Sequence, residues 1–356
     1  MVQNVGTFAQ NELLRARILE IQTESNRLQV QVASGKKGET YSVLKQDARL
    51  SLNLRASKAT TESFLQANVV TKTRMEQIQT VLDRVKDIAV DMRNSTLSAM
   101  SGATLPAAQG NASLKAQAQS ALIEISQLLN SEIDGFHLFA GRMTDTAPMT
   151  PPGAVGTAGT PLDNAANVVA VSPLTNFAAS GDTVYDNVVS HLDGNLVGAV
   201  PGASPVRYYG GEFNAADDSL IIARVDNGVD LDYGVTGRNG AIQQVMQAIY
   251  ALATADLSAA TDQGFRQLVA RAAGDLKTGF NGTVQAIGEL GVKQAQLRDL
   301  TTKQQDFVTT LQIQLGAVED VDMTEAITRL TMTQNNLEAS FRMLAGMRDL
   351  TLAKLL

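Results

Sequence analysis

The chain has no cysteine and no tryptophan, two histidines (His137 and His191), and only 10 Phe and 6 Tyr among its 356 residues. Without thiols there can be no disulfide, zinc–thiolate site, iron–sulfur cluster or cysteine nucleophile. Two histidines exclude a histidine-rich metal centre. So few aromatic side chains are thin packing material for one large globular enzyme. No stretch reaches the roughly 18–20 continuous apolar residues that would span a bilayer. The net charge of −7 disfavours nonspecific nucleic-acid binding and attraction to anionic lipid. Residues 1–22 hold Gln3, Asn4, Gln10, Asn11, Glu12, Arg15, Arg17 and Glu20, and lack the apolar core and cleavage site of a secretory signal. The expectation is a chain that stays in the cytoplasm or leaves by a route that needs no cleaved signal.

Proline is scarce and unevenly placed. Seven of the eight prolines and 13 of the 28 glycines fall in residues 146–240, which carry ten acids and three bases. That window therefore holds the whole net charge, and the remainder is neutral. Such a shift marks domain boundaries near 145 and 240. The expected division is a helical segment 1–145, an acidic Gly/Pro-rich β domain 146–240, and a helical segment 241–356 that packs back on the first.

The flanking segments carry apolar residues at alternating steps of four and three. One series is Leu14, Ile18, Ile21, Ser25, Leu28 and Val32. Others run from Leu50 through Met75, Ile78, Leu82 and Val85 to Met92, from Leu114 through Leu122 and Leu129 to Phe136, and from Ile287 to Val318. The last is Met323, Ile327, Leu330, Gln334, Leu337, Phe341 and Leu344. A repeat averaging 3.5 keeps one stripe against a neighbouring helix, as in a coiled coil. Polar interruptions such as Asn68, Gln294, Gln304 and Gln334 weaken the stripe and can fix register. A helix over about 47–98 would be roughly 75 Å long. Gly35 and Gly38 break the first helix from the second, residues 101–111 read as a loop, and Asp322 with Glu325 forms a helix cap. In the middle window, 206–209, 219–226 and 229–235 read as strands. Asn227-Gly228 predicts a type I′ hairpin between the last two. The fold class is mainly α with a β insert: a long antiparallel coiled-coil-like rod built from both ends of the chain, plus a smaller β-rich domain.

Motifs that could carry chemistry have plainer explanations. Ser42-Val-Leu-Lys45 matches a Ser-x-x-Lys nucleophile–base pair, but no companion motif follows. Ser34-Gly35-Lys36 lacks the earlier glycine of a phosphate loop and reads as a polar turn. Asp226, Asp230 and Asp232 miss the spacing of a calcium loop. His137 stands among Phe136, Leu138 and Phe139 as a packing residue. Asn94, Asn111 and Asn281 head glycosylation triplets, two of them inside predicted helices. No catalytic, cofactor or metal site emerges. A ligand-binding or enzymatic module inside 146–240 would need convergent polar residues that the sequence does not display.

Several segments together resemble one family. They are Val32-Ala-Ser-Gly-Lys-Lys37, Phe139-Ala-Gly141 followed by Thr144-Asp-Thr-Ala-Pro148, Tyr208-Tyr-Gly-Gly211, and Glu319-Asp-Val-Asp-Met-Thr-Glu-Ala-Ile-Thr-Arg-Leu330 ahead of a leucine-rich end. The chain is similar to the flagellin superfamily, and within it to the hook-associated junction proteins that stand between flagellar hook and filament. Flagellins follow the Ser-Gly-Lys/Arg turn with an Asp-Asp segment, whereas this chain reads Gly38-Glu-Thr-Tyr-Ser-Val-Leu-Lys-Gln-Asp47. The resemblance implies a structural, non-enzymatic motility protein, exported through the flagellar type III channel to an extracellular position. It implies as partners the preceding junction protein, flagellin, copies of itself in a ring, and an export chaperone. It implies an assembly interface of terminal helices, here Leu14, Ile18, Ile21, Leu28, Val32, Leu330, Leu337, Phe341, Leu344, Leu350 and Leu352. An alternative within the superfamily is a filament flagellin. Long Gln/Ala/Ser-rich helices of this kind are marginal until a partner buries their stripe.

Overall fold

The computed structural model describes residues 2–38, 41–101, 107–149, 185, 219–254 and 262–352. Seven α-helices lie among them: α1 (Val2–Ser34), the single turn α2 (Tyr41–Leu44), α3 (Ala48–Ser101), α4 (Ala107–Leu129), α5 (Gly240–Thr254), α6 (Asp262–Glu319) and α7 (Met323–Leu352). Two small antiparallel hairpins complete the description: β1 (Glu132–Ile133) with β2 (Phe136–His137), and β3 (Ile221–Asp226) with β4 (Val229–Tyr233). The fold is mainly helical with a small β insert. The chain divides into two compact units, one of Met1–Ser63 with Thr302–Leu356 and the other Phe64–Thr301.

The larger unit holds the main core, and the four–three count locates it. Met75, Ile78, Leu82, Val85, Ala89 and Met92 of α3 are buried, as are Leu114, Ala118, Leu122, Ile125 and Leu129 of α4. They share one apolar cluster with Val225, Leu231 and Tyr233 of the hairpin and with Ile242, Val245 and Ile249 of α5. Asn68, an expected register-setter, is buried and donates through Nδ2 to the Val225 carbonyl at 3.2 Å. Its polarity thus serves the α3–hairpin junction. Lys293 of α6 meets Asp232 of β4 at 2.6 Å and holds that carboxyl below its usual range.

Three local expectations are corrected. Phe136 does not continue the α4 stripe, because the helix ends at Leu129 and Asp134-Gly135 turns the chain into β2. Both residues take positive φ, +53° and +77°, so the type I′ turn is here. At Asn227-Gly228 only the glycine has positive φ, +75°, and a register shift lies between Arg224 and Asp226. That hairpin therefore closes with a bulge and one left-handed glycine, and is not type I′. Third, α4 starts at Ala107, so Gly110 and Asn111 are helical. The predicted strand 206–209 lies outside the described residues.

Two glycines of α6 set how closely α5 approaches it. A Cβ on Gly279 would stand 2.5 Å from Val245 Cγ2 and 2.9 Å from the Ala241 carbonyl oxygen. A Cβ on Gly282 would stand 2.6 Å from Ala241 Cβ. Gly279→Ala should therefore destabilise this unit by roughly 1–3 kcal/mol through overpacking. Gly288→Ala, on the same helix with nothing within 4 Å, should stabilise by about 0.5–1 kcal/mol through helix propensity. Thermal unfolding of the two variants should show shifts of opposite sign.

Candidate assembly interface

In the smaller unit, α1 and α7 pack together. They run antiparallel, since an antiparallel bridge joins Lys36, just past α1, to Asp320, just before α7. Every residue of the α1 stripe turns inward. Ile18, Ser25 and Leu28 are buried, and Leu14, Ile21 and Val32 are half-buried. On α7 the inward residues are Ala326, which is buried, and Leu330, Thr333, Leu337, Ser340 and Leu344, which are half-buried. Phe341 stands on the flank of this stripe, 44% exposed. Leu350 and Leu352 lie within α7, but their side chains are outside the described set.

Large apolar side chains remain on the outer faces. Leu13 is 73% exposed and Leu19 63% on α1, and Met332 is 61% and Met343 67% exposed on α7, with Ile327 also open. At about 100° per residue, Met332 and Met343 share one flank of the α7 stripe, whereas Ile327 and Phe341 share the other. Between them run exposed i,i+3 and i,i+4 ion pairs: Arg15–Glu12, Arg17–Glu20 and Arg27–Glu24 on α1, and Arg329–Glu325 and Arg342–Glu338 on α7. Such pairs contribute little individually. They do leave both flanks close to neutral.

At the base of the pair the chain is tied by polar contacts. Gly35 ends α1 at φ +69°, with its amide bonded to the Gln31 carbonyl at 2.9 Å. The Lys37 amide donates to the Glu319 carbonyl at 2.7 Å, and the Val321 amide to the Gly35 carbonyl at 3.0 Å. The Glu319 side chain is buried and receives Ser51 Oγ at 2.5 Å, Arg55 Nε at 2.7 Å and Arg55 Nη2 at 2.7 Å. Lys36 Nζ pairs with Asp320 and stands 3.7 Å from Glu319. Lys37 Nζ caps the last carbonyls of α6, at Ala317 and Val318. Asp322 caps α7 through the Thr324 and Glu325 amides, at 2.9 and 3.1 Å. The Ser-Gly-Lys turn and the Glu-Asp-Val-Asp run, expected as a turn and a cap, are thus one structure. Arg55 and Ser51 escaped the sequence reading. Their only signal was a Ser/Arg pair four residues apart beside Leu54 on a helix otherwise scored for apolar spacing.

The Arg55 fork holds the Glu319 carboxyl at about 2, with Ser51 and Lys36 adding to the effect against the cost of burial. The unfolded value is near 4.5, so the unfolded chain binds that proton more readily. The stabilisation is therefore complete above about pH 4.5 and is lost as pH falls toward about 2. It amounts to about 3 kcal/mol as an upper bound. Proteolysis of the smaller unit across this range should show that loss, and Glu319→Gln should flatten it.

Among the described residues no group of three or more His, Asp or Glu could hold a metal ion, and no helix is long and apolar enough to cross a membrane. Residues 276–356 match the family model of the bacterial flagellin C-terminal helical region. That end of the chain is flagellin-like. The flagellin-like region comprises the last three-quarters of α6, Glu319 and Asp320 from the cluster, and all of α7. The fold is also similar to a solved structure from Vibrio parahaemolyticus, described as that of a flagellar hook-associated protein. The TM-score is 0.51 at 16% identity, covering 77% of this chain and 97% of the other. None of the curated proteins compared with the chain matches it.

Proposed function

We propose that this flagellin-like chain is a structural subunit of the bacterial flagellum that stands at the junction of hook and filament. The observation that carries the reading is a terminal helix pair whose inner stripe is closed within the chain while apolar side chains remain open on both flanks. A monomer rarely leaves such rows uncovered without a partner. The flagellin-type C-terminal region supports partners from the flagellum, and the reading sets flagellin on one side, the preceding hook-associated protein on the other, and copies of this chain alongside in a ring. In this reading Leu14, Ile18, Ile21, Leu28, Val32, Leu330, Leu337, Leu344, Leu350 and Leu352 close the pair, and Phe341 lies between subunits. Export through the flagellar type III channel, with a chaperone covering the terminal helices, would bring the chain to its extracellular place.

A filament flagellin is the second reading, favoured by the C-terminal family match itself. Deletion of the gene separates the two. The junction role predicts bare hooks by electron microscopy, with flagellin shed into the medium. Intact filaments in the deletion strain would contradict it. Purified chain that extends filament seeds without limit would establish the flagellin reading instead.

A further inference from the structure

The apolar stripe between α1 and α7 does not by itself specify one alignment. On α1 the large residues Leu14, Ile21 and Leu28 recur every seven positions, and on α7 Leu330, Leu337 and Leu344 do the same. The positions between them are Ile18, Ser25 and Val32 on α1 and Ala326, Thr333 and Ser340 on α7, and the α7 set is small throughout, so it accepts any of the three α1 residues. Sliding one helix by a heptad, about 10 Å, sets leucine opposite the same kinds of residue again. The loss would be one layer at the end of the stripe. Coiled coils with such degenerate stripes are held in register by a polar contact that cannot be repeated one heptad away.

Glu319 makes a contact of that kind. Its carboxylate is filled on one side by Ser51 and by both nitrogens of the Arg55 fork, and the adjoining backbone is bonded to Gly35 and Lys37. Beside it, Lys36 pairs with Asp320, 284 residues away. It anchors the end of α1 and the start of α7 to the first turns of α3. No second acidic residue stands a heptad away to offer Arg55 the same fork, since position 312 is Gln and position 326 is Ala. A bidentate arginine–carboxylate pair is also geometrically exacting.

We propose that the Glu319–Arg55–Ser51 cluster is the register lock of the terminal pair, selecting one alignment of α1 on α7 from among heptad-related alternatives. The lock is intramolecular and holds whether the chain serves as junction protein or as flagellin. Arg55 and Ser51 are positioning residues that act through Glu319 on helices they need not touch.

Because the chain has no cysteine, two introduced thiols can be labelled without background. Nitroxides at Gln29→Cys on α1 and Gln334→Cys on α7, both exposed positions, report the alignment by pulsed electron spin resonance on the full chain. The unaltered lock should give one narrow distance. Glu319→Gln and Arg55→Met should each add a second population displaced by up to about 10 Å, the rise of seven residues. Hydrogen exchange at the Lys37 and Val321 amides should quicken about ten- to a hundred-fold, the loss expected for a hydrogen bond to a charged group. Exchange in α4 should be unchanged. A single unshifted distance in both variants would overturn the proposal. So would two distances with the lock intact, or faster exchange spread equally into α4, which would make Glu319 a general stabiliser.

Discussion

Leu28→Asp is expected to leave the chain exported but unable to assemble. Leu28 is 2% exposed and lies in the part of the α1 stripe nearest the Glu319 cluster, where α1 and α7 are tied together. Removing its side chain forfeits about 1.5–3 kcal/mol of burial. Placing a carboxylate there adds a desolvation cost of a few kcal/mol more, unless the helices part to let water in. The combined loss, about 4 kcal/mol or more, is comparable with the whole stability of a small folded unit. The larger unit does not share this stripe, so its thermal transition should not move. Leu28→Met, close in volume, should assemble normally. The measurements are the amount of chain in the culture medium, electron microscopy of the flagella, and calorimetry of the purified variant.

The second expected result separates the inside of the helix pair from its outside. A double variant, Met332→Glu with Met343→Glu, should fold like the parent and fail to assemble. Both side chains are more than 60% exposed, so the isolated chain should change by no more than about 0.5 kcal/mol. In an assembly that covers this flank, each copy would bury two carboxylates facing a neighbour. Each costs a few kcal/mol unless it is paired. Sedimentation should show only monomer at concentrations where the parent assembles. Leu28→Asp and this pair thus fail for different reasons, and calorimetry tells them apart: the first loses the folding of the smaller unit, the second keeps it.

Much of this was legible in spacing. The four–three count located α3, α4 and the second half of α6 and most of the residues that α3 and α4 bury, because large apolar side chains at that period have no stable place but a shared stripe. On α6 it began at Ile287 and missed the buried run from Phe265 to Ala286. The same count drifted on α7. It chose Met323, Ile327 and Phe341, which are large, over Ala326, Thr333 and Ser340, which actually face inward. Size misled it, because the inward positions of α7 are small residues between leucines. The Asp322 cap was readable since its signal is local, two backbone amides within three residues. The Glu319 cluster was not readable, because Ser51 and Arg55 are 268 and 264 residues away and meet it only after folding. The hairpins show a similar limit. Asn-Gly and Asp-Gly look alike in sequence, and the bulge at Arg224/Asp226 decided which of the two could close as a type I′ turn.

The central claim is that the outer flanks of α1 and α7 are covered by other molecules when the chain does its work. Hydrogen exchange of residues 12–34 and 323–346, compared between isolated chain and chain assembled on hook ends, tests it most directly. The account predicts protection in the isolated chain that falls away with distance from Lys37 and Val321, and protection at least about a hundred-fold greater along both helices after assembly. Equal protection of these helices in the two states would contradict it.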